Sequence, residues 1–76
     1  MSYEPVGVVI VGTGLIARFH AQAVNASAKL KLVAVINPIE GCGEDFAAEF
    51  GVPLIRDYDE AISRADVGMV LVATPS

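Results

Sequence analysis

A glycine-rich turn near the start of the chain is the part whose residue types and spacing could do chemistry. Residues 12–17 read Gly-Thr-Gly-Leu-Ile-Ala, which fits the pattern G-x-G-x-x-G/A with alanine in the third place. The turn follows the apolar run Val6–Val11, so it joins a predicted buried strand to a predicted helix. The residues that recur at helical spacing after the turn, and so form the predicted apolar face of that helix, are Ile16, Phe19, His20, Ala23 and Val24. The pattern alone is common, but in this context it predicts a site for the pyrophosphate of a dinucleotide.

Each position of the turn has a mechanical reason. Gly12 permits a tight turn, Gly14 lets a pyrophosphate approach the backbone, and Ala17 lets the helix pack close to the sheet. The N–H groups of Leu15 and Ile16 open the helix without an acceptor inside it, at the positive end of its dipole. A diphosphate can therefore bind without lysine or arginine. The alternative is a plain strand–helix turn in which the glycines serve only the geometry.

Asn37 stands where this fingerprint places an acidic residue for the ribose hydroxyls, about 20 residues after the turn. Asparagine can hydrogen-bond a ribose hydroxyl, but it lacks the charge that would repel a 2′-phosphate. No arginine or lysine is expected nearby to attract one, since the next residues are Pro38, Ile39 and Glu40. The choice between NAD and NADP stays open, leaning to NAD. The alternative is that Asn37 only forms an Asn-Pro turn.

The elements that must position these residues alternate between strands and helices. Runs without polar alternation are typical of strands buried on both faces, mainly in parallel sheets. The predicted strands are Val6–Val11, Leu30–Ile36, residues 52–55 and residues 67–73. The predicted helices run from Gly14 to about residue 26, over Glu44–Phe50 with Gly51 as its cap, and over a short segment capped by Asp59.

This order predicts an α/β fold, the N-terminal β-α-β-α-β-α-β portion of a Rossmann-type doubly wound parallel sheet. In such a sheet ligands bind beyond the carboxyl ends of the strands. Those ends carry residues 12–14, Asn37, residues 56–58 and residues 74–76, so we expect them at one edge.

The composition of the 76-residue chain excludes several classes of protein. With 54% hydrophobic and 18% charged residues it is not disordered, and its apolar runs are shorter than the roughly 20 residues that span a bilayer. A net charge of −4 argues against nucleic acid and anionic membranes as partners. The single Cys42 forms no internal disulfide, and the start lacks signal-peptide features, so a cytoplasmic location is expected. The surplus of apolar residues predicts a larger natural context.

Several residues with reactive side chains have simpler interpretations. We interpret His20 as a helix-packing histidine and not a proton-transfer group, and Cys42 as a loop cysteine. Asp57, Asp59 and Glu60 are interpreted as a turn and a helix cap, so no metal site is predicted.

Five stretches resemble the glucose–fructose oxidoreductase/inositol dehydrogenase/rhizopine-catabolism (Gfo/Idh/MocA) family. They are residues 9–17 together with His20, then residues 32–38, 46–52, 57–61 and 70–76. The match covers nearly the whole chain, and the Ala-Thr-Pro near its end is the most family-specific piece.

The resemblance implies an NAD(P)-dependent oxidoreductase acting on the CH–OH group of sugars, polyols or related alcohols. It implies that Asn37 faces the adenosine ribose and that Ala73, Thr74 and Pro75 flank the nicotinamide. It places the pyrophosphate on Gly12, Thr13, Gly14, Leu15 and Ile16. The family's catalytic Glu-Lys-Pro lysine, and the histidine and aspartate that assist it, lie beyond these residues, so no catalytic residue is predicted within 1–76.

On this basis residues 1–76 are expected to be the N-terminal portion of a dinucleotide-binding domain, with the substrate domain absent from the chain. The full-length protein is expected to be a homo-oligomer. Two alternatives remain: a non-catalytic NAD(P)-sensing regulator on the same fold, and another Rossmann reductase.

Overall fold

The computed structural model describes residues 4–73, and Thr74 and Pro75 lie outside that range. Four strands and three helices alternate along the chain. They are β1 (Val6–Val11), α1 (Leu15–Ala26), β2 (Leu30–Ile36), α2 (Glu44–Phe50), β3 (Leu54–Ile55), α3 (Tyr58–Ile62) and β4 (Met69–Val72). No helix within residues 4–73 is long and apolar enough to cross a membrane.

The strands form one sheet in the order β3-β2-β1-β4, with every pair parallel, as predicted. β1 lies inside the sheet and pairs with β2 from Val6 opposite Leu30, and with β4 from Val8 opposite Met69. Because all pairs are parallel, the carboxyl ends of all four strands lie at the same end of the sheet.

Helices cover both faces of the sheet, which explains why the central strands show no polar alternation. One core cluster joins Val8 and Ile10 of β1 to buried residues of α1 and α2. The other joins Val9 of β1 and Ala34 of β2 to Ala61 of α3. The fold is thus Rossmann-like, with α1 and α2 on one face and α3 on the other.

The face that α1 packs on the sheet differs from the predicted one. Its buried residues are Ala17, Ala21 and Val24. The face predicted from helical spacing shares only Val24 with it, and the other members of that face are exposed: Ile16, Phe19, His20 and Ala23. The separate prediction that Ala17 packs close to the sheet is confirmed. Alanines let the helix approach the strands closely, where larger side chains would hold it away. The prediction of a packed His20 is therefore wrong.

The two later strands are shorter than predicted. β3 is reduced to two residues, and β4 covers Met69–Val72. β4 was expected to be buried, but it lies at the edge of the four-stranded sheet and Val72 is 68% exposed. One side of β4 has no strand beside it among the described residues.

Asp57 caps α3, in place of the predicted Asp59. The Asp57 side chain accepts a hydrogen bond of 2.9 Å from the backbone N–H of Asp59. Asp59 lies inside the first turn, where its charge interacts with the helix dipole.

Replacing Asp57 by alanine tests this assignment. We expect a loss of about 1 kcal/mol in the free energy of unfolding, because the α3 N-terminus loses its side-chain acceptor. The matched variant Asp59→Ala should lose only about 0.3 kcal/mol, since it removes a charge and no cap. Urea denaturation measures both, and the reverse order would contradict the assignment.

Candidate functional site

A cleft of about 700 Å³ lies at the carboxyl ends of the strands. Its lining residues are Gly12, Thr13, Gly14, Leu15, Ile16, Asn37, Pro38, Ile39, Cys42 and Ala73. The structure thus brings together every predicted site residue within 4–73. The remaining two, Thr74 and Pro75, lie outside the described residues.

The glycine turn forms the floor of this cleft. Gly12 has a φ of 111°, in the left-handed region, where a residue with a side chain would be strained. Its N–H donates to the Ile36 carbonyl at 2.8 Å. Gly14 has an ordinary extended backbone, and a Cβ built on it would meet nothing within 4 Å. The backbone at Gly14 is therefore open to an approaching group.

The amino end of α1 is available to an anion. Gly14 is its N-cap and supplies no side-chain hydrogen bond, and the first turn contains no acidic residue. The Arg18 N–H donates to the Gly14 carbonyl at 3.0 Å, which leaves the N–H groups of residues 15–17 without helical acceptors. No cleft-lining residue is charged, so the helix dipole supplies the local positive potential.

Asn37 directly follows β2, and its side chain hydrogen-bonds both the glycine turn and the loop after β2. Its Nδ2 donates to Thr13 Oγ1 at 2.8 Å, and its Oδ1 accepts from the Ile39 N–H at 3.0 Å. The second bond is the Asn-Pro turn role that the sequence left as an alternative. An amide has two N–H donors, so one N–H of Nδ2 is left to meet a ligand.

Arg56 also reaches the loop that begins at Asn37, contrary to the expectation of no cation nearby. It directly follows β3, where Ile55 pairs with Ile36 of β2. Its Nη1 donates to the carbonyl of Asn37 at 2.9 Å, and its Nη2 donates to a carboxylate oxygen of Glu44. The sequence indicated that Arg56 follows a strand. Only the strand order shows that this strand lies beside β2, and so brings Arg56 next to Asn37.

The remaining reactive side chains are less informative. Cys42 is exposed and lines the cleft. No group of three metal-binding side chains forms within the described part of the chain. Arg64 hydrogen-bonds the Asp66 carboxylate and lowers its pKa, but this pair lies at the opposite edge of the sheet, before β4.

The comparisons with known proteins agree with this geometry. The family described as an oxidoreductase family with an NAD-binding Rossmann fold (GFO_IDH_MocA) matches residues 6–76. Inositol 2-dehydrogenase of Rhizobium meliloti is 33% identical over 67 residues, covering 88% of this chain and 20% of that protein. A 2,7-anhydro-N-acetylneuraminate hydratase of Mediterraneibacter gnavus is 35% identical over 73 residues, covering 96% and 19%.

Solved structures show the same relationship. GenD2 from gentamicin A biosynthesis, in complex with NAD, superposes with a TM-score of 0.89 at 35% identity, covering 97% of this chain and 21% of that one. The chain therefore spans about a fifth of the length of these relatives. The match to the family and its relatives confirms the resemblance: this chain belongs to the Gfo/Idh/MocA oxidoreductase family and forms part of its NAD-binding Rossmann fold.

Proposed function

We propose that this chain is the N-terminal portion of the dinucleotide-binding domain of an oxidoreductase. The parent enzyme transfers a hydride between the nicotinamide C4 and a carbinol carbon of a sugar, polyol or related alcohol. The observation that carries the proposal is the uncharged cleft where the open Gly14 backbone, the uncapped α1 terminus and Asn37 meet.

The pyrophosphate lies over the glycine turn. Its oxygens accept from the N–H groups of Leu15 and Ile16, which have no acceptor in the helix. Gly14 allows this approach because no side chain fills the space above its backbone. The helix dipole offsets part of the phosphate charge, so the absence of a basic residue among the lining residues is no obstacle.

The adenosine ribose lies beside Asn37. The Nδ2 hydrogen that Thr13 does not use donates to a ribose hydroxyl oxygen, and the remaining lone pair of Oδ1 accepts from the hydroxyl. We favour NAD over NADP, because the Arg56 guanidinium already donates to loop carbonyls and to Glu44 and is not turned to the cleft. A 2′-phosphate would meet no unengaged cation there.

The nicotinamide lies at the β4 side of the turn. Ala73 is buried there, and its N–H donates to the Val11 carbonyl at 2.9 Å, which fixes the end of β4 beside β1. We also propose, from the family resemblance, that Thr74 and Pro75 contribute to binding the nicotinamide. Substrate binding, the catalytic lysine and the contacts of a homo-oligomer belong to the rest of the parent protein. A polyol substrate is supported by the inositol 2-dehydrogenase relative.

A second candidate function is a hydratase reaction on a sugar derivative, which the 35% identical hydratase relative favours. The two candidates differ in their net redox balance. A dehydrogenase converts NAD⁺ to NADH in proportion to product, whereas a hydratase leaves no net NADH. Incubating the full-length protein with NAD⁺ and a panel of polyols, and following NADH absorbance, separates them.

A fluorescence titration of the full-length protein with NADH and with NADPH tests cofactor binding. We expect saturable binding of NADH and an affinity for NADPH at least about tenfold lower, because the 2′-phosphate loses its hydration without gaining a cation. Equal affinity for both would contradict the NAD preference. Binding of neither would contradict the proposed function.

A further inference from the structure

The loop between β2 and α2, residues 37–43, lines the cleft next to the glycine turn. Asn37, Ile39 and Cys42 of this loop all line the cleft. The loop contains no helix or strand. Two of its backbone N–H groups are bonded to backbone, that of Asn37 to the Ile55 carbonyl at 3.1 Å and that of Cys42 to the Ile39 carbonyl at 3.2 Å. Whatever holds this loop also sets the position of the Asn37 side chain.

Three carbonyl groups of the loop converge on one nitrogen of Arg56. Its Nη1 lies 2.9 Å from the Asn37 oxygen, 2.6 Å from the Ile39 oxygen and 2.7 Å from the Cys42 oxygen. Its Nη2 donates to Glu44 Oε2 at 2.9 Å, at the start of α2. One guanidinium thus links the end of β2, the loop and the next helix.

Arg56 makes these contacts through two nitrogens, since Nη1 bonds the loop carbonyls while Nη2 bonds Glu44. Nη1 carries two N–H groups for three carbonyls, so one N–H is shared between two of them. A lysine has a single nitrogen, which would have to serve both the carbonyls and Glu44. The side chain is 34% exposed, and water can replace it on the carbonyls. Its loss should therefore loosen the loop without unfolding the chain.

We infer that Arg56 is a positioning residue for the adenosine half of the cofactor, acting through the β2–α2 loop. This inference rests on the proposed function. Arg56 is not among the residues that line the cleft, so the role inferred for it is an indirect one. It holds the loop so that Asn37 keeps its bond to Thr13 and its free N–H in register with the ribose.

The test compares full-length wild type with Arg56→Met, Arg56→Lys and the control Arg64→Met. Arg64 also forms an ion pair at the surface, with Asp66, but lies at the other edge of the sheet. NADH affinity is measured by fluorescence, and competition by ADP and by nicotinamide mononucleotide reports on the two halves of the cofactor. Thermal unfolding is measured for every variant.

We expect Arg56→Met to weaken NADH and ADP by about tenfold each and to leave nicotinamide mononucleotide unchanged, because only the adenosine wall is loosened. Arg56→Lys should recover part of the loss, and Arg64→Met should bind all three ligands normally. Equal weakening of both halves, or normal NADH binding by Arg56→Met, overturns the inference. Failure of wild type to bind NADH instead overturns the proposed function.

Discussion

Replacing Gly14 by alanine is expected to lower NADH affinity by at least about tenfold while leaving the fold intact. The backbone of Gly14, with φ of −85° and ψ of −164°, suits any residue, and a Cβ there meets nothing within 4 Å. The folded protein therefore accepts the methyl group without strain. In our proposal the same space admits the pyrophosphate, so the methyl group pushes the phosphate away from the N–H groups of α1.

The measurement pairs an NADH titration with thermal unfolding of the full-length protein. Gly51→Ala is the control, because Gly51 ends α2 at a φ of 67° and does not line the cleft. That variant should lose about 1 kcal/mol of stability yet bind NADH normally. Gly14→Ala should therefore lose NADH affinity and keep its stability, whereas Gly51→Ala should lose stability and keep its NADH affinity. Wild-type affinity in Gly14→Ala would contradict the proposed position of the pyrophosphate.

The sequence predicted the elements best where the signal is local. The bounds of β1 and β2 are confirmed. β1 is a continuous apolar run stopped by glycine, and β2 is apolar except for Lys31 and is stopped by Asn-Pro. α2 is confirmed over Glu44–Phe50, since Gly51 takes the left-handed conformation that ends a helix. The place of the glycine turn between β1 and α1 is confirmed for the same reason, since its signal lies within six residues, and its role in binding pyrophosphate stays a prediction.

The buried face of α1 could not be predicted from hydrophobicity. Ile16 and Phe19 are more apolar than Ala17 and Ala21, so periodicity favoured the wrong side of the helix. Burial is decided by the distance between helix and sheet, and at close approach only small side chains fit. That distance is a property of the tertiary structure. Ile16 and Phe19, 57% and 60% exposed, lie outside both core clusters.

Arg56 shows the same limit within the site. Its position next to Asn37 follows from β3 lying beside β2, and the chain order alone permits other arrangements. In sequence the two residues are far apart, so the loop seemed to have no cation near it. Once the strand order is known, the pairing of Ile55 with Ile36 places Arg56 beside Asn37 directly. The glycine turn, Asn37 and Ala73 were therefore predictable as part of the cleft. Pro38, Ile39 and Cys42, and the contacts that shape the cleft, were not.

Gly7→Ala is expected to cause the largest loss of stability of any substitution considered, at least about 3 kcal/mol. A Cβ on Gly7 would lie 1.7 Å from the Asp66 carbonyl oxygen and 2.9 Å from the Asp66 carbonyl carbon. These are backbone atoms, so no side-chain rotation relieves the overlap. The turn before β4 would have to move, although the Gly68 N–H holds it to the Gly7 carbonyl at 2.8 Å.

Moving that turn has consequences at the other end of the strand. β4 pairs with β1 from Met69 opposite Val8, and its end carries Ala73 into the cleft. A shift at Asp66 therefore disturbs the register that places the proposed nicotinamide wall. We expect Gly7→Ala to give little soluble protein, and any soluble fraction to show a much lower urea midpoint and weak NADH binding.

Gly68→Ala is the matched control, because it adds the same methyl group to the residue whose N–H bonds the Gly7 carbonyl. Its Cβ would lie 2.9 Å from Val6 Cγ1, the tip of a side chain that is 41% exposed and free to rotate. This variant should therefore stay within about 1 kcal/mol of wild type and bind NADH normally. Similar urea midpoints for the two variants would show that β1 and the turn before β4 are not in close backbone contact. A large difference would establish that contact as the constraint that aligns β4, and with it the end of the cleft.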